Sequence, residues 1–212
     1  MYCFALFDGH GIASTVSDIG ERDMLQLVES EYLDMFSEEA ETKSEGKAES
    51  GGDDAYAQIL QRAFSKASES ILGTVGAQRV GSTATILMLQ KLGRESWSLS
   101  CAWVGDSRAA IILPTGTGES INEDHRLELE RENKRVMEVH LSEEKGAAQG
   151  QRLTVVANRV CNLTGQVGPR VVFNEKTGVS LMVTRALGDP LGASAIISEP
   201  DINARAAPAT SR

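Results

Sequence analysis

Three short blocks in this chain set an acidic side chain beside a glycine. The first is Phe7-Asp8-Gly9-His10-Gly11, directly behind the apolar run Tyr2–Phe7. A carboxylate at a strand end is rigidly held, and the neighbouring glycine lets a backbone carbonyl approach a ligand closely. Carboxylate and carbonyl oxygens form the ligand set that hard cations such as Mg²⁺ and Mn²⁺ prefer. His10 adds a group able to give or take a proton near neutral pH. An ordinary Asp-Gly turn accounts for the same residues. The second block, Val104-Gly105-Asp106-Ser107-Arg108, reads as a hairpin turn in which Asp106 bonds backbone N–H groups, as a metal ligand at Asp106, or as a nucleophile at Ser107. A serine nucleophile needs a histidine base, normally in an Asp-x-x-His block. Phe7, Asn122 and Met137 stand three residues before His10, His125 and His140, so no such block exists. The third block, Thr184-Arg185-Ala186-Leu187-Gly188-Asp189, taken alone suggests an ion pair or a cap.

The elements that must position these blocks are legible from hydrophobic periodicity. Tyr2–Phe7 reads as a strand ending in the Asp-Gly turn. Residues 13–36 turn helical, with Leu25, Val28, Tyr32, Met35 and Phe36 on one face. Residues 37–53 have almost no apolar content and a Gly-Gly break, which marks a flexible acidic insertion. A second helix follows, its stripe formed by Leu60, Ala63, Phe64, Ala67 and Ile71. Ser82–Gln90, Trp97–Val104 and Arg108–Leu113 are strand-like runs whose short connections favour antiparallel hairpins. Asp124–His140 has a weak helical pattern, with Asp124 as its N-cap. Residues 141–178 read as an irregular excursion over the surface, and Val179–Val183 as a further strand. NARAAPATSR, from Asn203 onward, reads as unstructured. The elements add up to an α+β architecture with helices outside sheets.

At 212 residues, with 41% hydrophobic and 24% charged residues, the chain fits one globular domain. No apolar run approaches the roughly 18 residues of a membrane span. The N-terminus lacks the basic start and long apolar stretch of a signal peptide. The expectation is an intracellular protein, cytoplasmic or nuclear, acting as a monomer. Cys3, Cys101 and Cys161 match no metal-ligand or redox spacing, and Asn162-Leu163-Thr164 is an accidental glycosylation pattern. The net charge of −9 argues against nucleic acid as a partner. Over half of it sits between Ser37 and Asp54, where seven acids and two lysines give −5.

The order of the blocks is more specific than any one of them. FALFDGHG, GSTATILML, SCAWVGDSRAAI, EDHRLE, TRALGD and ISEPDI follow one another from about Tyr2 to Ile202. This series resembles the metal-dependent protein serine/threonine phosphatases of type 2C. The QVGPRVV stretch ahead of VSLMVTRALGD resembles a plant and protist branch of that family. The resemblance implies a four-layer α-β-β-α sandwich, in which two antiparallel sheets are flanked by helices. It places the domain at 1–205, with the acidic insertion at 37–53, a flap-like region at 146–178 beside the active site, and a disordered tail at 206–212. It also implies two bound Mg²⁺ or Mn²⁺ ions and, as in some members of the family, a third, weaker one. Asp8 would bridge two metals, the Gly9 carbonyl would bind one of them, and Asp106 would match the acid that holds the third. His10 would protonate the leaving serine or threonine oxygen of a phosphorylated protein substrate. Arg108 and Arg185 would give structural support. The nucleophile implied is a metal-activated water, not a side chain.

Two departures qualify these implications. Ile12 stands where the family has a second glycine, and a β-branched residue tolerates positive φ poorly. Only seven residues precede Asp8, and ten follow Ile202. The family's phosphate-gripping Arg, an acid near the metals, and later Asp-Gly and Asp-Asn metal blocks are therefore lacking, and the sandwich is expected to be incomplete. The chain reads as truncated at both ends and of little or no activity alone. The alternative is a non-catalytic docking or regulatory module.

Overall fold

The computed structural model describes residues 1–42, 53–75, 79–93, 96–113, 115–146, 153–156, 171–174, 178–189 and 195–206. In chain order the first half comprises β1 (Tyr2–Gly11), α1 (Thr15–Thr42), α2 (Asp53–Val75), β2 (Val80–Lys91), β3 (Trp97–Val104), β4 (Ala110–Ile112) and β5 (Gly118–Ser120). The second half comprises α3 (Glu130–Gly146), β6 (Leu153–Val156), β7 (Val171–Asn174), β8 (Val179–Leu181), β9 (Leu187–Gly188) and β10 (Asp201–Ala206). The fold is α+β, as the sequence pattern predicts.

A five-stranded antiparallel sheet carries the molecule, in the order β1-β2-β3-β10 with β9 also on β2. β3 pairs with β2 only from Val104↔Ala84 onward. Below that point β9 takes its place, with Gly188 opposite Gly81 and Leu187 opposite Ser82. On the other side of the same two residues lie His10 and Gly9 of β1. The start of β2 is thus clasped between the first block and the third.

Both helices α1 and α2 cover one face of this sheet. Met24 and Val28 of α1, and Ile59, Leu60, Phe64 and Ile71 of α2, pack with Ala84, Ile86, Met88, Ala102 and Val104. Each large apolar side chain removed from water contributes about 1.5–3 kcal/mol, so this layer is the main source of stability. On the opposite face Leu99, Cys101 and Trp103 of β3 are covered by Ala109 and Ile121, which flank the β4–β5 hairpin. A third cluster joins Leu127, Val136 of α3 and Val172 of β7.

Several expectations need correction. β1 does not end at Asp8: pairing with β2 continues to Gly11↔Val80. Gly11, with φ +100, leaves the extended conformation there, and only glycine fits, because a β-carbon would lie 2.0 Å from the Arg79 carbonyl oxygen. Leu25 is exposed, and the buried stripe of α1 runs through Val16, Ile19, Met24 and Val28. α1 continues to Thr42 and α2 begins at Asp53, so the helical backbone enters both ends of the acidic segment; residues 43–52 lie outside the described residues. β4 pairs with β5 in a two-stranded sheet of its own, not with β3. α3 starts at Glu130, and Asp124 is bound to Arg108 instead of capping it. β6 and β7 are strands where the sequence suggests an irregular excursion, and they form a three-stranded antiparallel sheet with β8, which lies within the strand expected at Val179–Val183. The remaining parts of the flap-like region, including the branch-like stretch 166–170, lie outside the described residues. Asn203–Ala206 belong to β10, drawn into the sheet by β3; residues 207–212 are not described.

Candidate active site

Asp8 and His10 lie on β1 two positions apart, and so on the same face of the strand. Asp8 is opposite Thr83, and its backbone N–H donates to Thr83 Oγ1 at 3.2 Å. Thr83 Oγ1 in turn shares a 2.6 Å hydrogen bond with Ser107 Oγ. The Ser107 carbonyl accepts from Thr85 Oγ1 and Asn122 Nδ2, both at 2.8 Å. The first and second blocks are therefore one hydrogen-bonded unit across the middle of β2. Ser107 Oγ is thus held by the Thr83 hydroxyl.

Asp106 is half-buried and paired to Arg126, whose Nε donates to its Oδ2 at 2.9 Å and whose Nη2 donates to the same oxygen. Any cation reaching Asp106 must compete with this guanidinium. Arg108 holds Asp124 through two bonds of 2.7 and 2.9 Å. The hydrogen bond from Arg108 lowers the Asp124 carboxyl below its usual range.

His125 is fully buried behind the Gly105 turn. Its Nδ1 accepts from the Gly105 N–H at 3.1 Å, and its ring stacks on Trp103 at 5.7 Å. Its Nε2 stands 3.1 Å from Asp201 Oδ2, but off the direction of a well-formed hydrogen bond, so that contact is electrostatic. Burial raises the Asp201 carboxyl, while His125, Arg185 and Arg131 together more than offset this and leave it lowered. The same turn is tied to the third block, since the Thr184 N–H donates to the His125 carbonyl at 2.8 Å.

Glu132 of α3 anchors that third block. Its Oε1 accepts from Arg185 Nη2 at 2.6 Å and Nε at 3.0 Å, and its Oε2 accepts from Thr184 Oγ1 at 2.7 Å and Arg135 Nη2 at 2.8 Å. Burial pushes the Glu132 carboxyl up, yet the bonds from Arg185, Arg135 and Thr184 win and hold it at about 2. Arg185 also donates to the Glu199 carbonyl and pairs with Asp201. This matches the structural role the family pattern implies for Arg185.

From this anchored segment Asp189 reaches His10, with Oδ2 2.7 Å from Nε2. Asp189 is the only described residue other than glycine with positive φ, at 52°. Ile12 does not share that conformation, so its β-branched side chain causes no strain; it simply projects outward, 75% exposed. Sequence reasoning missed Asp189, Glu132, Arg126 and His125 as parts of the site. The signal for Asp189 was present in TRALGD, but its partner is 179 residues away. Glu132 lies among the charged residues of α3 and carries no local mark.

Asp8, Gly9 and His10 thus share one strand end, and Asp106 stands on the turn bonded to it. Among the described residues no group of three His, Cys, Asp or Glu side chains could hold a metal ion. Asp8 and the Gly9 carbonyl alone do not fit a dinuclear centre, since such ions rely on several carboxylates to offset dehydration. The two cysteines among the described residues are poor nucleophiles: burial pushes the Cys101 thiol up to about 12 and the Cys3 thiol up to about 11.

The fold has known relatives. The chain is similar to a sex determining protein of C. elegans, with a TM-score of 0.60 at 20% identity, covering 96% of this chain and 39% of that one. It is similar to a phosphatase from a pathogenic strain of Toxoplasma gondii, with a TM-score of 0.59 at 16% identity, covering 97% and 64%. A further phosphatase from Toxoplasma gondii gives 0.55 at 11% identity, covering 97% and 59%. The chain spans less than two-thirds of each of these solved chains. Among curated proteins none matches significantly. The sequence model described as "Protein phosphatase 2C" matches residues 2–210, nearly the whole chain, and the protein therefore belongs to the protein phosphatase 2C family.

Proposed function

We propose that this chain is part of a protein serine/threonine phosphatase acting on phosphoserine and phosphothreonine in protein substrates. The observation that carries this reading is the union of the first two blocks, with Asp8 tied through Thr83 to Ser107 and His10 held beside them. Family membership supplies the substrate class.

The proposed roles are distributed by chemistry. His10 gives its proton to the leaving alkoxide, which would otherwise depart as a strong base. Asp8 and the Gly9 carbonyl are oxygen donors for a divalent cation. Asp106 is a weaker donor that must first exchange its Arg126 partner. The family is metal-dependent; we propose Mg²⁺ or Mn²⁺ for this chain. Because the described residues do not complete a two-ion cluster, turnover by this chain alone is low and demands a high cation concentration.

The test is hydrolysis of a phosphothreonine peptide by the 212-residue chain across a Mn²⁺ titration. Weak turnover that rises with Mn²⁺ and disappears in Asp8→Asn is the expected result. Turnover indifferent to both a chelator and Asp8→Asn would sink the reading. The incomplete cation cluster also favours a second reading, a docking module that binds phosphoproteins without cleaving them. A folded chain that retains the peptide but releases no phosphate at any Mn²⁺ concentration would select it.

A further inference from the structure

We propose that Asp189 is the positioning residue of His10, fixing the ring orientation, with Nε2 held by the carboxylate and Nδ1 facing the phosphoester. This proposal rests on the reading above that His10 does the proton work.

Four observations converge on it. Asp189 Oδ2 lies 2.7 Å from His10 Nε2. An ionised carboxylate can only accept a hydrogen bond, so the proton on that axis belongs to Nε2. The Asp189 side chain is 4% exposed, against 25% for His10. The carboxylate is thus the buried, fixed member of the pair, and the imidazole is the one with an open side. Asp189 keeps a left-handed backbone, φ 52°, that a side-chain-bearing residue adopts only at a cost. Such strain persists only where surrounding structure imposes it, and here the Asp189 N–H is held by the Val80 carbonyl at 2.9 Å. Finally, the space for the pair exists because residue 81 has no side chain. A β-carbon there would stand 2.1 Å from Asp189 Oδ2 and 2.4 Å from His10 Nε2.

Together these features turn β9 into a buttress. It pairs with β2 at Gly81 and Ser82, on the side opposite His10, and passes its terminal carboxylate across the bare Gly81 backbone to the imidazole. With Nε2 occupied, Nδ1 is the nitrogen left to meet the leaving oxygen; it gives that oxygen a proton from the imidazolium, in which both nitrogens carry one, and the neutral ring left behind keeps its proton on Nε2. No bond to Asp189 forms or breaks during the reaction; its work is to hold one tautomer and one ring orientation.

The experiment uses the full chain labelled with ¹⁵N. Long-range proton–nitrogen spectra of the imidazole rings are recorded above the ordinary imidazole titration range, and His10→Gln assigns the His10 signals. Asp189→Gly removes the carboxylate and suits the positive φ, so the fold is kept. Asp189→Asn retains an acceptor oxygen and also tolerates that backbone. The expected result is a proton on Nε2 in the unsubstituted chain and in Asp189→Asn, with mixed tautomers in Asp189→Gly. His10 ring signals unchanged by Asp189→Gly, or a proton found on Nδ1 alone, would overturn the proposal.

A second arm separates this idea from the phosphatase reading. With Mn²⁺ present, Asp189→Gly lowers kcat on a phosphothreonine peptide by about 10²-fold, and lowers it far less on p-nitrophenyl phosphate, whose leaving group departs without a proton. Equal losses on both substrates would count against the positioning role. Absence of turnover in the unsubstituted chain counts against the phosphatase reading alone, and the tautomer then decides the placement of His10 by itself.

Discussion

Gly81 shows how a residue without chemistry of its own can decide the state of two that have it. His10 and Asp189 approach across its bare α-carbon. Gly81→Ala inserts a methyl group where both polar atoms now stand, and the rigid β2 backbone cannot yield. Overpacking of this kind costs about 1–3 kcal/mol, and each kcal/mol lowers the melting temperature of a domain this size by about 2–4 °C. Calorimetry of Gly81→Ala checks this, and an unchanged melting temperature would mean that the pair has room to spare. The residue scale also explains why Asp106 and Asp8 are unequal ligands. Asp8 is exposed, whereas Asp106 is already neutralised by Arg126.

At the scale of elements, β1 is the most exposed part of the main sheet. It is an edge strand, and Tyr2, Phe4 and Leu6 are each more than half exposed along one of its faces. An open edge with an apolar face is a template for association with another chain. Phe4→Lys places a charge on that face. Light scattering across a concentration series should show reduced self-association, with stability changed by no more than about 0.5 kcal/mol. Unchanged scattering would place the association surface elsewhere. The elements were also where the sequence was most and least informative. The α2 stripe of Leu60, Ala63, Phe64, Ala67 and Ile71 is buried as its spacing predicts, because every turn of that helix meets the sheet. Leu25 broke the same rule in α1, where Met24 and Val28 take the inward positions. The fate of β4 could not be read, since a short apolar run does not reveal whether β3 or β5 will pair with it. Asp8, Gly9, His10 and Asp106 stood out because glycine accompanies them. Asp189 and Glu132 gain their meaning only from partners distant in the chain.

At the scale of the whole molecule, Glu132 links α3 to the segment that ends in Asp189, and through Arg185 to Asp201 of β10. Removing one member of such a network leaves buried guanidinium charge without compensation, at a cost of about 3–5 kcal/mol. Its pH dependence follows from the depressed carboxyl. A glutamate ordinarily near 4.3, held at about 2 in the fold, contributes stability that is complete above about pH 4.3. That contribution, about 3 kcal/mol, fades as pH falls toward 2. Denaturant unfolding of Glu132→Gln should therefore show its full deficit at pH 7 and a shrinking one between pH 4 and pH 2. A deficit that is constant with pH would mean that the loss is steric, not electrostatic.

The contact between His10 and Asp189 also has a bearing on the order of events in folding. Its two ends are separated by 179 residues, so the entropy of closing that loop must be met before the pair gains anything. During synthesis, β1 leaves the ribosome early and β9 late. The hairpin of β2 and β3 and the packing of α1 on α2 involve nearer neighbours and can form in the interval. The imidazole therefore stays unrestrained until the β9 segment arrives, and the clasp at Gly81 is among the last contacts made.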